Sequence, residues 1–82
     1  MNLYEIKTHI TPKHVTERYG TSIHRGDMIC CPFHDDRTPS MKLYDDHFYC
    51  FGCQKSGDVI NLAAQLLGLT NYEAAKRLLA DF

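Results

Sequence analysis

With 82 residues the chain has room for one small domain, whose core is marginal without some form of staple. An apolar fraction of 44% excludes a disordered chain, and a formal net charge of −1 excludes a protein that grips nucleic acid by charge alone. No apolar run reaches the roughly 18 residues of a membrane span, and "MNLYEIKTHI" lacks the basic start and apolar stretch of a secretory signal, so a cytoplasmic chain with no membrane partner is expected.

The predicted elements are short. Asn2 to His9 reads as a helical turn, with Asn2 and Glu5 spaced as a cap and its partner. Thr11-Pro12 starts a second helix, which runs to Tyr19 and stops at Gly20. "TSIHRGDMIC" predicts a strand, a turn at Arg25-Gly26-Asp27 and a second strand into Cys30. "SMKLY" (40–44) and "HFYC" (47–50) predict two more strands around Asp45-Asp46. From Gly57 to Leu67 the apolar positions take a helical period, ended by Gly68. Thr70 and Glu73 form a capping box for a last helix reaching about Ala80. The fold class is α+β: a small antiparallel sheet flanked by short helices.

Two four-residue motifs, "CPFH" at 31–34 and "CFGC" at 50–53, stand on either side of the predicted hairpin. A reducing cytoplasm disfavours disulfides and turns clustered cysteines toward metal. Each motif places two soft donors on one tight turn, with Pro32 setting the backbone of the first and Gly52 relaxing the second. Four donors of thiolate and imidazole type suit one tetrahedral Zn²⁺ held by Cys31, His34, Cys50 and Cys53. A thioredoxin-like redox pair and an iron site remain as alternatives. Four protein ligands leave no open position, so the zinc is expected to be structural. Cys30 keeps no such spacing and is expected as a small buried hydrophobe. The carboxylate pairs at 35–36 and 45–46 are expected as turns, and no catalytic constellation is visible.

A two-residue loop at Asp45-Asp46 sets Tyr44 opposite His47, Leu43 opposite Phe48, Lys42 opposite Tyr49 and Met41 opposite Cys50. Met41, Leu43, Phe48 and Cys50 then share the core side. Ser40, Lys42, Tyr44, His47, Tyr49 and Phe51 share the other, where rings stand beside a cation as in single-strand readers. Arg25, Arg37 and Lys55 extend a basic rim. A helix covering these rings would instead make them core.

"CPFHDDRTPSM" followed by "FYCFGCQKSGDVINLAAQLLGL" resembles the zinc-binding domain of bacterial and phage DnaG-type DNA primases, with the strong match over about residues 25–69. The resemblance implies a single domain over residues 1–82: a helical segment at 1–20, a zinc ribbon at 21–55 and C-terminal helices at 56–82. It also implies a sheet surface that reads single-stranded template DNA. Carried over by position, that surface comprises Arg25, Arg37, Lys42, Tyr49, Phe51 and Lys55. Met41 departs from the family's usual Phe. The polymerase domain of primases is not among these 82 residues, so a non-catalytic module is implied, with a polymerase domain or a replicative helicase as partner. Three thiolates and one Zn²⁺ make the chain one charge more negative than its formal −1, so DNA binding should be weak with a shallow salt slope. The rival function is a protein–protein docking ribbon that presents the same rings.

Overall fold

The computed structural model describes residues 2–20, 22–33 and 38–82. Its element order is α1 (Leu3–His9), α2 (Pro12–Tyr19), β1 (Met28–Ile29), β2 (Met41–Leu43), β3 (Phe48–Cys50), β4 (Ser56–Gly57), α3 (Val59–Leu67) and α4 (Asn71–Asp81).

Side chains capping orphan backbone groups set the helix starts. Asn2 Oδ1 accepts from the Glu5 N–H at 2.9 Å, as the spacing predicts. Thr11 Oγ1 accepts from the His14 N–H at 3.1 Å, and the Thr11 N–H returns a bond to His14 Nδ1 at 3.3 Å. His14 therefore completes a cap that the Thr-Pro signal alone did not reveal. Asp58 and Asn61 cap α3 in the same reciprocal way, which moves its start from the expected Gly57 to Val59. Thr70 and Glu73 form the predicted box on α4.

Two of the glycines differ in purpose. Gly68 ends α3 at φ 69°, in the left-handed region where a side chain is strained. Gly20 also ends its helix, but at φ −123°. Its role is close packing, since a Cβ there would stand 3.1 Å from Leu66 Cδ1 and from the Thr16 carbonyl oxygen.

The sheet is antiparallel throughout, in the order β1-β2-β3-β4. The β2–β3 hairpin has the predicted register: Met41 opposite Cys50, Lys42 opposite Tyr49 and Leu43 opposite Phe48. The strand expected before the Arg25–Asp27 turn shrinks to a single bridge between His24 and Met28. Gly26 and Asp27, both with positive φ, bend the chain too sharply for a longer ladder. β4 is an addition to the expected layout, pairing Gly57 with Phe48 and Ser56 with Tyr49.

One continuous core joins the inner sheet face to the helices. Ile29, Met41, Leu43, Phe48 and Cys50 are buried together with Ile6, Val15, Val59, Leu62 and Leu78. At Gly57 a Cβ would stand 2.6 Å from Asn61 Oδ1 and 3.0 Å from Phe48 Cζ, so β4 reaches α3 only because this residue is glycine.

The ends of α2 and α4 are tied by a polar knot. Tyr19 Oη donates to Asp81 Oδ2 at 2.6 Å, and Arg77 Nε donates to the same oxygen at 2.9 Å. Arg18 adds a looser ion pair at 3.7 Å. Burial, then the bond to Asp81, pushes the Tyr19 hydroxyl from its ordinary 10.0 up to about 12. The Tyr19 bond, then Arg77, holds the Asp81 carboxyl below its usual range.

Because the folded Tyr19 pKa lies above the unfolded one, its contribution is complete below pH 10.0 and is lost as pH rises toward about 12. Denaturant unfolding at stepped pH should show this loss in the parent and a flatter profile in Tyr19→Phe over the same window. Gly57→Ala should displace Asn61 from its cap and cost about 1–3 kcal/mol, the range for overpacking, read as a lower denaturant midpoint at unchanged slope.

Candidate functional site

Two knuckles meet at one end of the sheet. The first follows β1, where Cys31 is buried and leads into Pro32-Phe33. The Gln65 side chain on α3 donates to the Pro32 carbonyl at 2.9 Å, tying this knuckle to the helical layer. The Phe33 ring stacks on Phe48 with centres 5.5 Å apart. The second knuckle follows β3. The Cys53 N–H points at Cys50 Sγ, 3.4 Å away, and the Gln54 N–H donates to the Cys50 carbonyl at 2.8 Å. Gln54, at φ 65°, takes the left-handed conformation that closes this turn. Gly52 is not among the positive-φ residues, so the backbone freedom assigned to it from sequence is not what the turn uses.

These turns bring the sulfurs of Cys31, Cys50 and Cys53 within 4.8 Å of one another. Cys31 Sγ and Cys53 Sγ are 3.7 Å apart. Zn–S bonds of 2.3 Å in a tetrahedron put neighbouring sulfurs about 3.8 Å apart, so the cluster fits zinc in both donor type and spacing. Without a cation Cys31 resists ionisation. Burial pushes the Cys31 thiol up to about 12, aided by Cys50 and Cys53 and opposed by the Phe33 backbone. A bound divalent ion would invert that preference and hold the thiols as thiolates. Cys30 lies outside the cluster and is half-buried, more open than the core position expected of it. His34 and Arg37 fall outside the described residues.

Ser40 and Gln65 are supports that sequence spacing did not reveal. Ser40 Oγ lies 3.4 Å from Cys50 Sγ, and Gln65 reaches the first knuckle from 33 positions away in the chain. No local pattern signals contacts that only the folded chain creates.

The outer sheet face carries a row running Met28, Lys42, Tyr49, Ser56 across the four strands. Lys42, Tyr44 and Tyr49 are half-buried, while His47 and Phe51 are exposed. The rings interlock. Tyr44 stacks on His47 at 4.5 Å, and Tyr49 meets Phe51 edge to face at 5.0 Å. Lys42 Nζ lies 5.6 Å from the Tyr44 ring centre. Lys55 is exposed at the cysteine end, where its carbonyl accepts from the Cys50 N–H at 2.8 Å. Arg25 is exposed on the turn before β1, near the hairpin end. The structure thus brings Lys42, Tyr44, Tyr49 and Phe51 together, sets Lys55 beside them and leaves Arg25 at the margin.

Residues 3–82 match the CHC2 zinc finger of the DnaG zinc-ribbon type. The chain belongs to the CHC2 zinc-finger family. This CHC2 zinc finger is similar to the DNA primase of Rickettsia prowazekii (strain Madrid E), at 46% identity over 54 residues, covering 63% of the chain and 9% of the relative. It is 42% identical over 55 residues to the DNA primase of Chlamydia trachomatis serovar D, covering 65% of the chain and 9% of that protein. With the DNA primase of Enterococcus faecalis it shares 42% identity over 52 residues, covering 61% and 8%. The chain therefore spans less than a tenth of the length of these curated relatives, and its likeness is to their zinc domain. The primase resemblance read from the sequence is borne out, and family and sulfur cluster together support zinc as the metal.

Proposed function

We propose that this CHC2 zinc finger is a non-catalytic module that reads single-stranded DNA through its outer sheet face, in support of primer synthesis by a polymerase domain. The observation that carries this reading is the row of Lys42 and Tyr49, continued by the exposed ring of Phe51, on the side of the sheet opposite the core. Rings at this spacing offer π-faces to bases of any sequence, and Lys42, Lys55 and Arg37 offer charge to phosphates. The primase names of the relatives support a role in DNA replication, in the cytoplasm, beside a polymerase domain or a replicative helicase.

One Zn²⁺ per chain, held by Cys31, His34, Cys50 and Cys53, is the assignment we favour. Three of these donors already converge, and His34 follows Cys31 at the spacing Cys53 keeps from Cys50. With all four positions filled by protein atoms the ion is structural: it fixes both knuckles against the sheet. In a domain this small, metal-binding energy is folding energy. Chelation and Cys53→Ser should each unfold the ribbon, seen as loss of the sheet signal, whereas Cys30→Ser should keep full metal content by elemental analysis. Loss of zinc in Cys30→Ser would overturn the ligand assignment.

The reading of the face is tested by oligonucleotide binding isotherms at several salt concentrations, on variants first checked for fold and zinc. Tyr49→Ala should cost ~1–3 kcal/mol with little change in salt slope. Lys42→Ala should weaken all sequences alike and lower the slope by about 0.7. Parental binding in both variants would pass the face to a protein partner instead.

A further inference from the structure

The outer face differs sharply between its two ends. At the cysteine end Phe51 is 60% exposed, Tyr49 meets its ring edge to face, and Lys55 stands exposed nearby. At the hairpin end the exposed side chains are Asp45, Asp46 and His47. His47 bonds to Asp46 at 2.6 Å and holds that carboxyl below its usual range.

Two further carboxylates belong to the hairpin end. Asp27 is placed there by the bond from the Leu43 N–H to its carbonyl, and Asp58 follows Gly57, the partner of Phe48. Lys13 meets Asp27 at 3.4 Å and Lys7 meets Asp58 at 3.1 Å. Among the described residues neither Asp45 nor Asp46 has a lysine or arginine partner. Arg25 is the cation on the neighbouring turn, set off toward the β1 edge.

The rings differ as well. Tyr44 lies almost parallel to His47, 4° between planes, so one of its faces is already covered. Tyr49 and Phe51 meet at 72°, an arrangement that leaves ring face exposed on Phe51.

We propose that single-stranded DNA occupies only the cysteine half of this face, with bases on Tyr49 and Phe51 and phosphates passing Lys42 and Lys55. The stacked Tyr44–His47 pair and the carboxylates of Asp45 and Asp46 form a fence that turns the strand away from the hairpin tip. This rests on the DNA reading of the face and narrows it to a footprint of about two stacked bases, one for each ring of the Tyr49–Phe51 pair. Phosphates brought past the tip would meet unscreened like charge within a Debye length.

The test uses the zinc-loaded 82-residue chain with a thymidine trinucleotide and a thymidine octanucleotide at low salt. Tyr49→Leu and Phe51→Leu should each lower trinucleotide affinity about 5- to 150-fold, the equivalent of one base–ring stack. Tyr44→Leu and His47→Ala should each change it by less than about twofold, within the scatter of a surface substitution. Lys55→Ala should lower the salt slope by about 0.7 while Arg25→Ala leaves it unchanged. The double variant Asp45→Asn, Asp46→Asn should bind the octanucleotide several-fold more tightly, with a steeper slope and unchanged trinucleotide affinity. Phe51 lies between two cysteines, so amide-shift mapping on the parent provides an independent check: the Tyr49 and Phe51 amides should move, and those of Tyr44 and His47 should not. If Tyr44→Leu costs as much as Tyr49→Leu, or the double variant gains nothing with the octanucleotide, the half-face assignment is overturned while the DNA platform stands. If the parent binds neither oligonucleotide, both fall.

Discussion

Three sulfur atoms held within 4.8 Å of one another are the constraint on which the rest of the ribbon depends. Strands of two or three residues do not sustain a sheet by their own hydrogen bonds. Here the cysteine end of the sheet is closed by the two knuckles, one following β1 and the other following β3. Phe48 anchors the middle, with Phe33 stacked on it and Gly57 pressed against it from β4. The helices add what the sheet lacks, a layer of buried Ile, Val and Leu that joins the same core. A bond from Gln65 to the first knuckle couples that layer to the cysteines.

Net charge is a poor guide to the surface of this molecule. The chain is formally acidic, yet several acids are occupied by cations or a hydroxyl: Asp58 with Lys7, Asp27 with Lys13, and Asp81 with Arg77 and Tyr19. What matters to an approaching polyanion is the local distribution, and field lines near a surface follow the unpaired groups. On the outer face Lys42, Lys55 and Asp45 have no ion-pair partner among the described residues, while Asp46 is bonded to His47. A domain of slightly negative total charge can therefore still present local positive charge on one face.

Much of this was legible in the sequence because its signals were local. The β2–β3 register followed from a two-residue loop and strict alternation, since a slip of one residue would have exposed Leu43 and Phe48. Thr11-Pro12 and Thr70/Glu73 fixed two helix starts for the same reason. What escaped depended on folding itself. β4 is two residues long and has no period to detect; it exists because β3 offers it a partner. His14 caps α2 through a ring nitrogen, and Gly20 is needed for the approach of Leu66, 46 positions later in the chain. Spacing brought the cysteines of the site together on paper, but it placed the special backbone of the second knuckle on Gly52 when Gln54 adopts it.

Both margins of the sheet, β1 and β4, are two residues long, and the turn at Gly26-Asp27 folds His24 back onto Met28 of the first, occupying part of that edge. Exposed strand edges are templates on which other chains can add strands. Edges this brief offer almost no ladder, so the ribbon is protected from edge-to-edge association without charged gatekeepers on its rim. The same brevity restricts how any partner is held. Strand addition, which draws its affinity from main-chain hydrogen bonds, has nowhere to start. A partner on this face would be held by the side chains standing on the sheet, leaving the backbone of this small domain to its own four strands.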